Sequence, residues 1–264
     1  MRILQLSDPH VRVPGDLLSG RVETLPYLQR AIVAVERFRP RPDVVLITGD
    51  IVDGGGADEY RLAKVALEQL TLPTFLLPGN HDERGLCREL MGAWLGEVRA
   101  DDCLAYVLDQ FPVRVIALDS VIPGTGQGRL GGEQLQWLDR LLAAGRDRPT
   151  LIGVHHPPFE VGIGFMDRLD LVDRNDLATV IGRHPQVVGV VAGHIHRTIV
   201  GRLAHAVALT APSTAHQIPL DLTPDGPATF VFEPPGFLLH EWDGRVLRSH
   251  HVYVGDYGRR FPFG

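Results

Sequence analysis

Val44-Val45-Leu46-Ile47-Thr48-Gly49-Asp50 is an apolar, β-branched run that stops on a glycine and a carboxylate. A run of this length and composition, closed by a turn residue, reads as a strand buried on both faces. The same arrangement recurs outward in both directions. Ile3–Leu6 leads into Asp8-Pro9-His10, and Thr74–Leu77 into Gly79-Asn80-His81-Asp82. Leu151–Val154 leads into His155-His156, and Val187–Val191 into Gly193-His194-Ile195-His196. Val113–Leu118 is one more apolar run.

Helical spacing fills several gaps between these runs. Thr24 is expected to cap a helix that has Pro26 in its first turn and carries Leu28, Ile32 and Val35 on one face. Tyr60, Ala63, Leu67 and Leu70 repeat the spacing, as do Leu135, Leu138 and Leu142 after Gly131-Gly132. Strands alternating with helices predict an α/β layered fold. From His205 onward the helical period is absent. Val207–Leu209, Thr229–Phe232, Phe237–His240 and Val246–Val254 read as strands, expected to form hairpins that complete a second sheet, with an excursion around Asp221–Gly236. No repeat or linker divides the chain. A single domain over residues 1–264 is expected, with a β-rich part from about residue 205 to 264.

Bulk composition excludes several classes. The 264 residues are 44% hydrophobic and 22% charged, which suits a sizeable core and argues against disorder. A formal net charge of -6 and the lack of a basic run exclude generic nucleic-acid binding through a positive face. Cys87 and Cys103 are too few for a disulfide framework or a thiolate zinc site. The chain enters an apolar run at Ile3 without a charged leader, and no stretch is long enough to span a membrane. A soluble, cytoplasmic protein is expected. Histidine, at 12 residues, is the unusual count.

Each polar cluster sits at the C-terminal end of an apolar run, the edge where open α/β sheets bind ligands. The expectation is therefore one sheet delivering Asp, Asn and His side chains to one place. Residues i and i+2 of an extended or turning segment project to the same side, so Asp8 with His10, and His194 with His196, are expected to converge. Glycines before Asp50, Asn80 and His194 let the backbone turn close to an ion. Oxygen and imidazole donors suit Mn, Fe, Zn or Co. Alone, Asp-x-His or Gly-Asp is an ordinary turn, and a single histidine is an ordinary core or surface group. The set, in order and at successive strand ends, is not ordinary.

That set resembles the pattern of the calcineurin-like metallophosphoesterases: Asp-x-His, Gly-Asp, Gly-Asn-His-Asp/Glu, His, Gly-His-x-His. The match runs from Asp8 to His196, about three quarters of the chain. The resemblance implies a four-layer α/β/β/α sandwich of two mixed β-sheets flanked by helices. It implies two divalent metal ions: the first held by Asp8, His10 and His196, the second by Asn80, His155 and His194, with Asp50 bridging. His155 rather than His156 is the implied ligand, and His156 a support for it. His81 is implied to meet the substrate and to act in catalysis, and Asp53 to orient it; Asp53 reads equally as a turn cap. The implied reaction is in-line attack on phosphorus by a hydroxide shared between the ions.

Departures from the pattern narrow the branch. Asp53 stands where purple acid phosphatases place a ligating tyrosine. Gly54 and Asp82 stand where Ser/Thr protein phosphatases have arginine and glutamate. Leu4–His10, Ala117–Ser120, Gly131–Leu138, His155-His156-Pro157-Pro158 and Ala211–Gln217 look like the class III cyclic-nucleotide phosphodiesterase and glycerophosphodiesterase group. In that group the late segment lies near the substrate, so His216 is a candidate substrate contact alongside Asn80 and His81, or else a packed loop histidine. The expected substrates are small phosphodiesters, with no nucleic-acid polymer and no membrane partner. A broad phosphomonoesterase is the second reading, and a non-catalytic scaffold the third. The resemblance also implies a homo-oligomer, dimer or larger. Ala228–Leu239 reads either as a hairpin pairing with a partner subunit or as a cap on its own domain.

Overall fold

The run beginning at Val44 is a strand with every residue buried, and its neighbours in the chain are built the same way. The computed structural model describes residues 1–99, 103–258 and 261–263. Strand β1 (Arg2–Leu6) is followed by α1 (Thr24–Arg37), β2 (Val44–Thr48), α2 (Ala57–Leu67), β3 (Thr74–Leu77) and α3 (Arg84–Met91). After a 3-10 turn at Gly92–Trp94 come β4 (Tyr106–Leu108), β5 (Arg114–Ala117), α4 (Gly131–Ala144), β6 (Thr150–Gly153) and the short α5 (Gly164–Asp167). The chain ends with α6 (Arg174–Gly182), β7 (Val187–Ala192), β8 (Ile199–Leu203), β9 (Ala206–Thr210), β10 (Gly236–Trp242) and β11 (Leu247–Tyr253).

The strands form two mixed sheets, in the orders β11-β10-β1-β2-β3 and β4-β5-β6-β7-β9-β8. Strands β1, β2 and β3 run parallel, and so do β5, β6, β7 and β9; β10, β11, β4 and β8 are antiparallel to their neighbours. Leu4, Leu46 and Leu76 of the first sheet share one apolar cluster with Val115, Leu151 and Val191 of the second. The sheets therefore pack face to face. Leu28, Ile32 and Val35 of α1 and Tyr60 and Ala63 of α2 join the same cluster from the first sheet's side. Leu135, Leu138 and Leu142 of α4 and Leu177 and Ile181 of α6 pack on Ile116, Ile152 and Val190 of the second. The result is helices, sheet, sheet, helices: the α/β/β/α sandwich.

Several expectations are corrected. Thr24 is the first residue of α1 and does not cap it; its Oγ1 accepts the Arg12 N–H at 3.1 Å, and Glu23 holds the cap position. Leu70 lies beyond the end of α2, half-buried against the core. Thr229–Phe232 is no strand but a loop touching Gln217 through an isolated bridge at Val231. Of the late strands, only β8 and β9 extend the second sheet, while the β10–β11 hairpin completes the first beside β1. The polar clusters come from both sheets rather than one: β1, β2 and β3 on one side, β6 and β7 on the other. Residues 259, 260 and 264 of the expected C-terminal part lie outside the described residues.

Candidate metal centre

The five clusters meet at one end of the sandwich, where the C-terminal ends of β1, β2, β3, β6 and β7 approach each other. Local backbone geometry makes this possible. Asp8, His10, Asp50, His194 and His196 all have left-handed φ, between 45° and 68°. Of the two expected routes, an extended or a turning segment, Asp8 and His10 therefore converge through the turn. Each such residue costs on the order of 1 kcal/mol or more and persists only where the surroundings hold it. Backbone bonds from Asp8 N–H to the Gly49 carbonyl and from His10 N–H to the Asp50 carbonyl lash the first two loops together. The Asp8 carboxylate in turn accepts the His194 N–H at 3.0 Å, joining the first sheet to the second.

Glycine is required at two of these turns. Gly49 has φ +89°, and a Cβ there would lie 2.4 Å from His155 Nδ1. At Gly79 a Cβ would lie 2.2 Å from Asp50 Oδ1.

The histidine rings are fixed from behind. His10 Nδ1–H donates to Asp53 Oδ1 at 3.0 Å, His196 Nδ1–H to the His216 carbonyl at 3.1 Å, and His155 Nδ1–H to the Thr48 carbonyl at 2.9 Å. In the neutral rings these bonds set the tautomers, so that the lone pair on each Nε2 points inward. The Nε2 atoms of His10 and His196 lie 3.0 Å apart, 3.4 Å from Asp50 Oδ2 and Asp8 Oδ1 respectively. Two lone pairs facing each other between two buried carboxylates form a nest for a cation. Asp8, His10, Asp50 and His196 make up one group of donors that could hold an ion.

A second group lies alongside. His155 Nε2 is 3.3 Å from Asp50 Oδ2 and 3.1 Å from Asn80 Oδ1. His194 Nε2–H donates to the Leu169 carbonyl at 3.0 Å, so Nδ1 is the nitrogen left to ligate. The His194 ring is 5.1 Å from that of His155. His156 is close too, but both its nitrogens are engaged: Nε2–H with the Gly126 carbonyl at 3.1 Å and Nδ1 with Ser120 Oγ at 2.7 Å. With His155 and His194 it forms a group of donors within reach of one ion, but its Nδ1 lone pair is engaged by the Ser120 hydroxyl, and its ring packs against that of His194, 4.6 Å away.

The fields in this buried site are strong. Burial opposes the Asp50 charge, but His155 and His10 hold its carboxyl well below the ordinary carboxylate range. Burial also opposes a charge on His155, yet Asp50 raises it to about 9. Burial and its histidine neighbours push His194 down to about 3. For His81, burial lowers the pKa, but Asp50 and Asp53 together outweigh it, so the group is raised.

The remaining expected residues fall around this centre. His81 donates its N–H to Asp50 Oδ1 at 2.9 Å and its ring Nδ1–H to the Asp53 carbonyl at 2.7 Å. The Asp53 side chain goes chiefly to His10, with His81 Nδ1 farther at 3.5 Å. His216 is buried, with its ring 4.5 Å from that of His196. Its Nδ1 has no hydrogen-bond partner among the described residues. A cavity of about 350 Å³ opens over the centre, lined by His10, Asp50, Asn80, His81, His194, His196 and His216.

Sequence reasoning missed three participants. Arg12 donates to Asp53 Oδ2 at 2.8 Å. Asp82, read only as a branch marker, accepts the N–H groups of Ile51, Val52 and Gly79 and the Tyr60 hydroxyl, stitching the second loop to the third. Ser213 Oγ donates to the Asp8 carbonyl at 2.8 Å, which ties the Ala211–Gln217 segment to the first loop. The position of Arg12 two residues after His10, and of Asp82 inside Gly-Asn-His-Asp, were the available signals. For Ser213 the available signal was its place in the Ala211–Gln217 segment, which pointed to the neighbourhood and not to the residue.

A family model described as calcineurin-like phosphoesterase matches residues 1–198. The chain belongs to the calcineurin-like phosphoesterase family. It is therefore a hydrolase of phosphoesters, and the family's dependence on divalent metal agrees with the buried Asp and His donors. Among this phosphoesterase's relatives is a probable glycerophosphodiester phosphodiesterase of Arcobacter nitrofigilis, 38% identical over 100% of this chain and 97% of that protein. A 3',5'-cyclic adenosine monophosphate phosphodiesterase of Pseudomonas aeruginosa is 30% identical over 92% of this chain and 87% of that protein. In fold, the phosphoesterase is similar to a dimetal phosphatase from Danio rerio, with a TM-score of 0.73 at 16% identity, covering 97% and 96% of the two chains. No helix among the described residues is long and apolar enough to cross a membrane.

Proposed function

We propose that this phosphoesterase hydrolyses small phosphodiesters, cyclic nucleotides or glycerophosphodiesters, with two divalent ions in adjoining sites. The observation that carries the reading is the position of Asp50 Oδ2, which faces His10 Nε2 at 3.4 Å and His155 Nε2 at 3.3 Å. One carboxylate oxygen between two imidazole lone pairs is suited to bridge two cations. Asp8, His10 and His196 would complete the first site; Asn80, His155 and His194 would complete the second. Bound there, divalent ions such as Mn, Fe, Zn or Co supply Lewis acidity toward a phosphoryl oxygen and acidify a water.

The chain's own groups do the rest. Asp53, held by Arg12, fixes the His10 tautomer through its carboxylate and the His81 ring through its carbonyl. His81 stands at the cavity floor, half-exposed, where it can donate to a phosphoryl oxygen or protonate the departing alkoxide. Asn80 has an amide N–H that can meet substrate while its Oδ1 faces the second site. His216 offers an unpartnered Nδ1 to a substrate hydroxyl or amine. A cavity of about 350 Å³ falls near the lower end of small-molecule sites and suits a compact diester.

The same proposal takes residues 1–264 as one catalytic domain in the cytoplasm, assembled as a homo-oligomer. Strand β11 is an edge of the first sheet with Tyr253 exposed, a surface open to pairing. Light scattering that gives the mass of one chain would remove the oligomer. The decisive assay compares bis-(p-nitrophenyl) phosphate with p-nitrophenyl phosphate in the presence of Mn. Faster turnover of the diester supports the reading. Faster turnover of the monoester makes the protein a phosphomonoesterase, and turnover of neither, nor of cyclic AMP, leaves a scaffold.

A further inference from the structure

The cavity over the metal centre has two kinds of wall. Its floor is the Asp, Asn and His set. Its sides carry Leu18 and Ile218 from two loops, and Met166 and Leu169 from α5 and the residues just after it, segments that no strand-end motif includes. These apolar residues are seated in packing of their own. Leu18 belongs to a cluster with Val22 and Ala215, on which Phe230 packs. Met166 belongs to another with Val161, Ile163 and Ile195, on which Ile218 packs. Leu169 is held by its backbone, whose carbonyl accepts the His194 Nε2–H. The side walls are thus pre-formed rather than loosely hung.

Charge is scarce on those sides. Among the described residues lining the cavity, Arg12 is the one permanently cationic side chain. Its guanidinium is shared by Asp53 Oδ2 at 2.8 Å and Asp16 Oδ2 at 2.6 Å, two carboxylates for one positive charge. A second anionic group on a substrate would find no unmatched cation there, while an uncharged hydrocarbon or aromatic face would find four apolar side chains.

We propose that Leu18, Met166, Leu169 and Ile218 form a specificity wall, which holds the non-departing ester substituent of the substrate and selects one that is uncharged and apolar on at least one face. The inference rests on the phosphodiesterase reading and names the substituent that reading leaves open. A planar ring against this wall gains by leaving water, whereas a methyl group gains little and a carboxylate loses.

The test fixes p-nitrophenolate as the leaving group and varies the other substituent among methyl, phenyl and 4-carboxyphenyl, with Mn-loaded wild type, Leu169→Ala and Ile218→Ala. Both positions are only half-buried, and their truncation leaves the Leu169 carbonyl in place. The wild type should favour phenyl over methyl in kcat/KM by on the order of tenfold, chiefly through KM, and should disfavour the carboxylate relative to phenyl. In the two variants the phenyl-to-methyl ratio should fall toward one. Because both substrates meet the same preparation, the ratio does not depend on the fraction of folded enzyme. A wild-type ratio near one, or a ratio that survives both truncations, overturns the specificity wall while the phosphodiesterase reading stands. Cleavage of neither diester overturns that reading and the wall with it.

Discussion

Asp53 Oδ1 accepts the Nδ1–H of His10 at 3.0 Å, and that bond aims the opposite ring nitrogen, Nε2, at Asp50 and His196. The other carboxylate oxygen is held by Arg12 NH1 at 2.8 Å, and the main-chain carbonyl holds His81. Asp53→Asn should therefore lower affinity at the first site by about 10–100-fold, since partners of ligating histidines typically carry that much. Mn titration followed by turnover is the measurement. Affinity equal to wild type would make Asp53 the turn cap its sequence position also allows.

His81 predicts a different signature. It touches Asp50 only through its backbone N–H, and its ring, which packs edge-on against His10 at 4.7 Å, hydrogen-bonds to the Asp53 carbonyl and to none of the proposed metal ligands. His81→Ala should lower kcat by on the order of 10²–10⁴-fold while metal content holds. Metal analysis beside steady-state kinetics separates the two effects, and unchanged turnover would take His81 out of the chemistry. An added imidazole buffer that restores part of the rate would strengthen the role.

The Asp82 carboxylate is a stitch rather than a ligand. It accepts three backbone N–H groups and the Tyr60 hydroxyl in a buried setting, where burial and then the neighbouring Asp50 charge raise its pKa to about 6. Asp82→Ala leaves those donors unpaired, at about 1–3 kcal/mol for each one that finds no water. A fall in Tm of many degrees, with loss of metal, is expected. Tyr60→Phe removes one donor from Asp82 and the acceptor of the Glu83 N–H, and should cost about 1–3 kcal/mol with activity retained.

These contacts also show what a sequence can and cannot disclose. The strand ends at Leu6, Thr48, Leu77 and Ala192 were legible because an apolar β-branched run has one comfortable environment and a polar cluster after it has another. The residue types that gather at the centre were legible for the same reason. Two things were not. The left-handed φ of Asp8, His10, Asp50, His194 and His196 is imposed by surroundings, since these residue types do not announce it. The acceptors that orient the rings are the main-chain carbonyls of Thr48, His216 and Leu169, and a carbonyl belongs to every residue. The helical period of Tyr60 to Leu70 overran its helix because α2 stops at Leu67 while Leu70 still packs on the core.

Acid stability has a separate source behind the centre. His240 is buried, with Nε2–H donating to Gln5 Oε1 at 3.0 Å and Nδ1 accepting from Ser249 Oγ at 2.7 Å, an arrangement that requires the neutral ring. Burial, followed by His250, pushes its pKa down to about 4. The unfolded chain takes up this proton near pH 6.5, whereas the folded chain resists until about pH 4. Stability should therefore fall as pH drops from about 6.5 toward 4, by up to about 3 kcal/mol from this group alone. Other buried histidines and the release of metal add to the slope, so the contribution is read by difference. His240→Gln, compared with wild type by urea denaturation at matched Mn, should be less stable at pH 7 because the packed ring is lost. Its stability should nevertheless decline less steeply between pH 6.5 and 4. Parallel declines in the two proteins would mean that His240 is protonated, or hydrated, in the folded state.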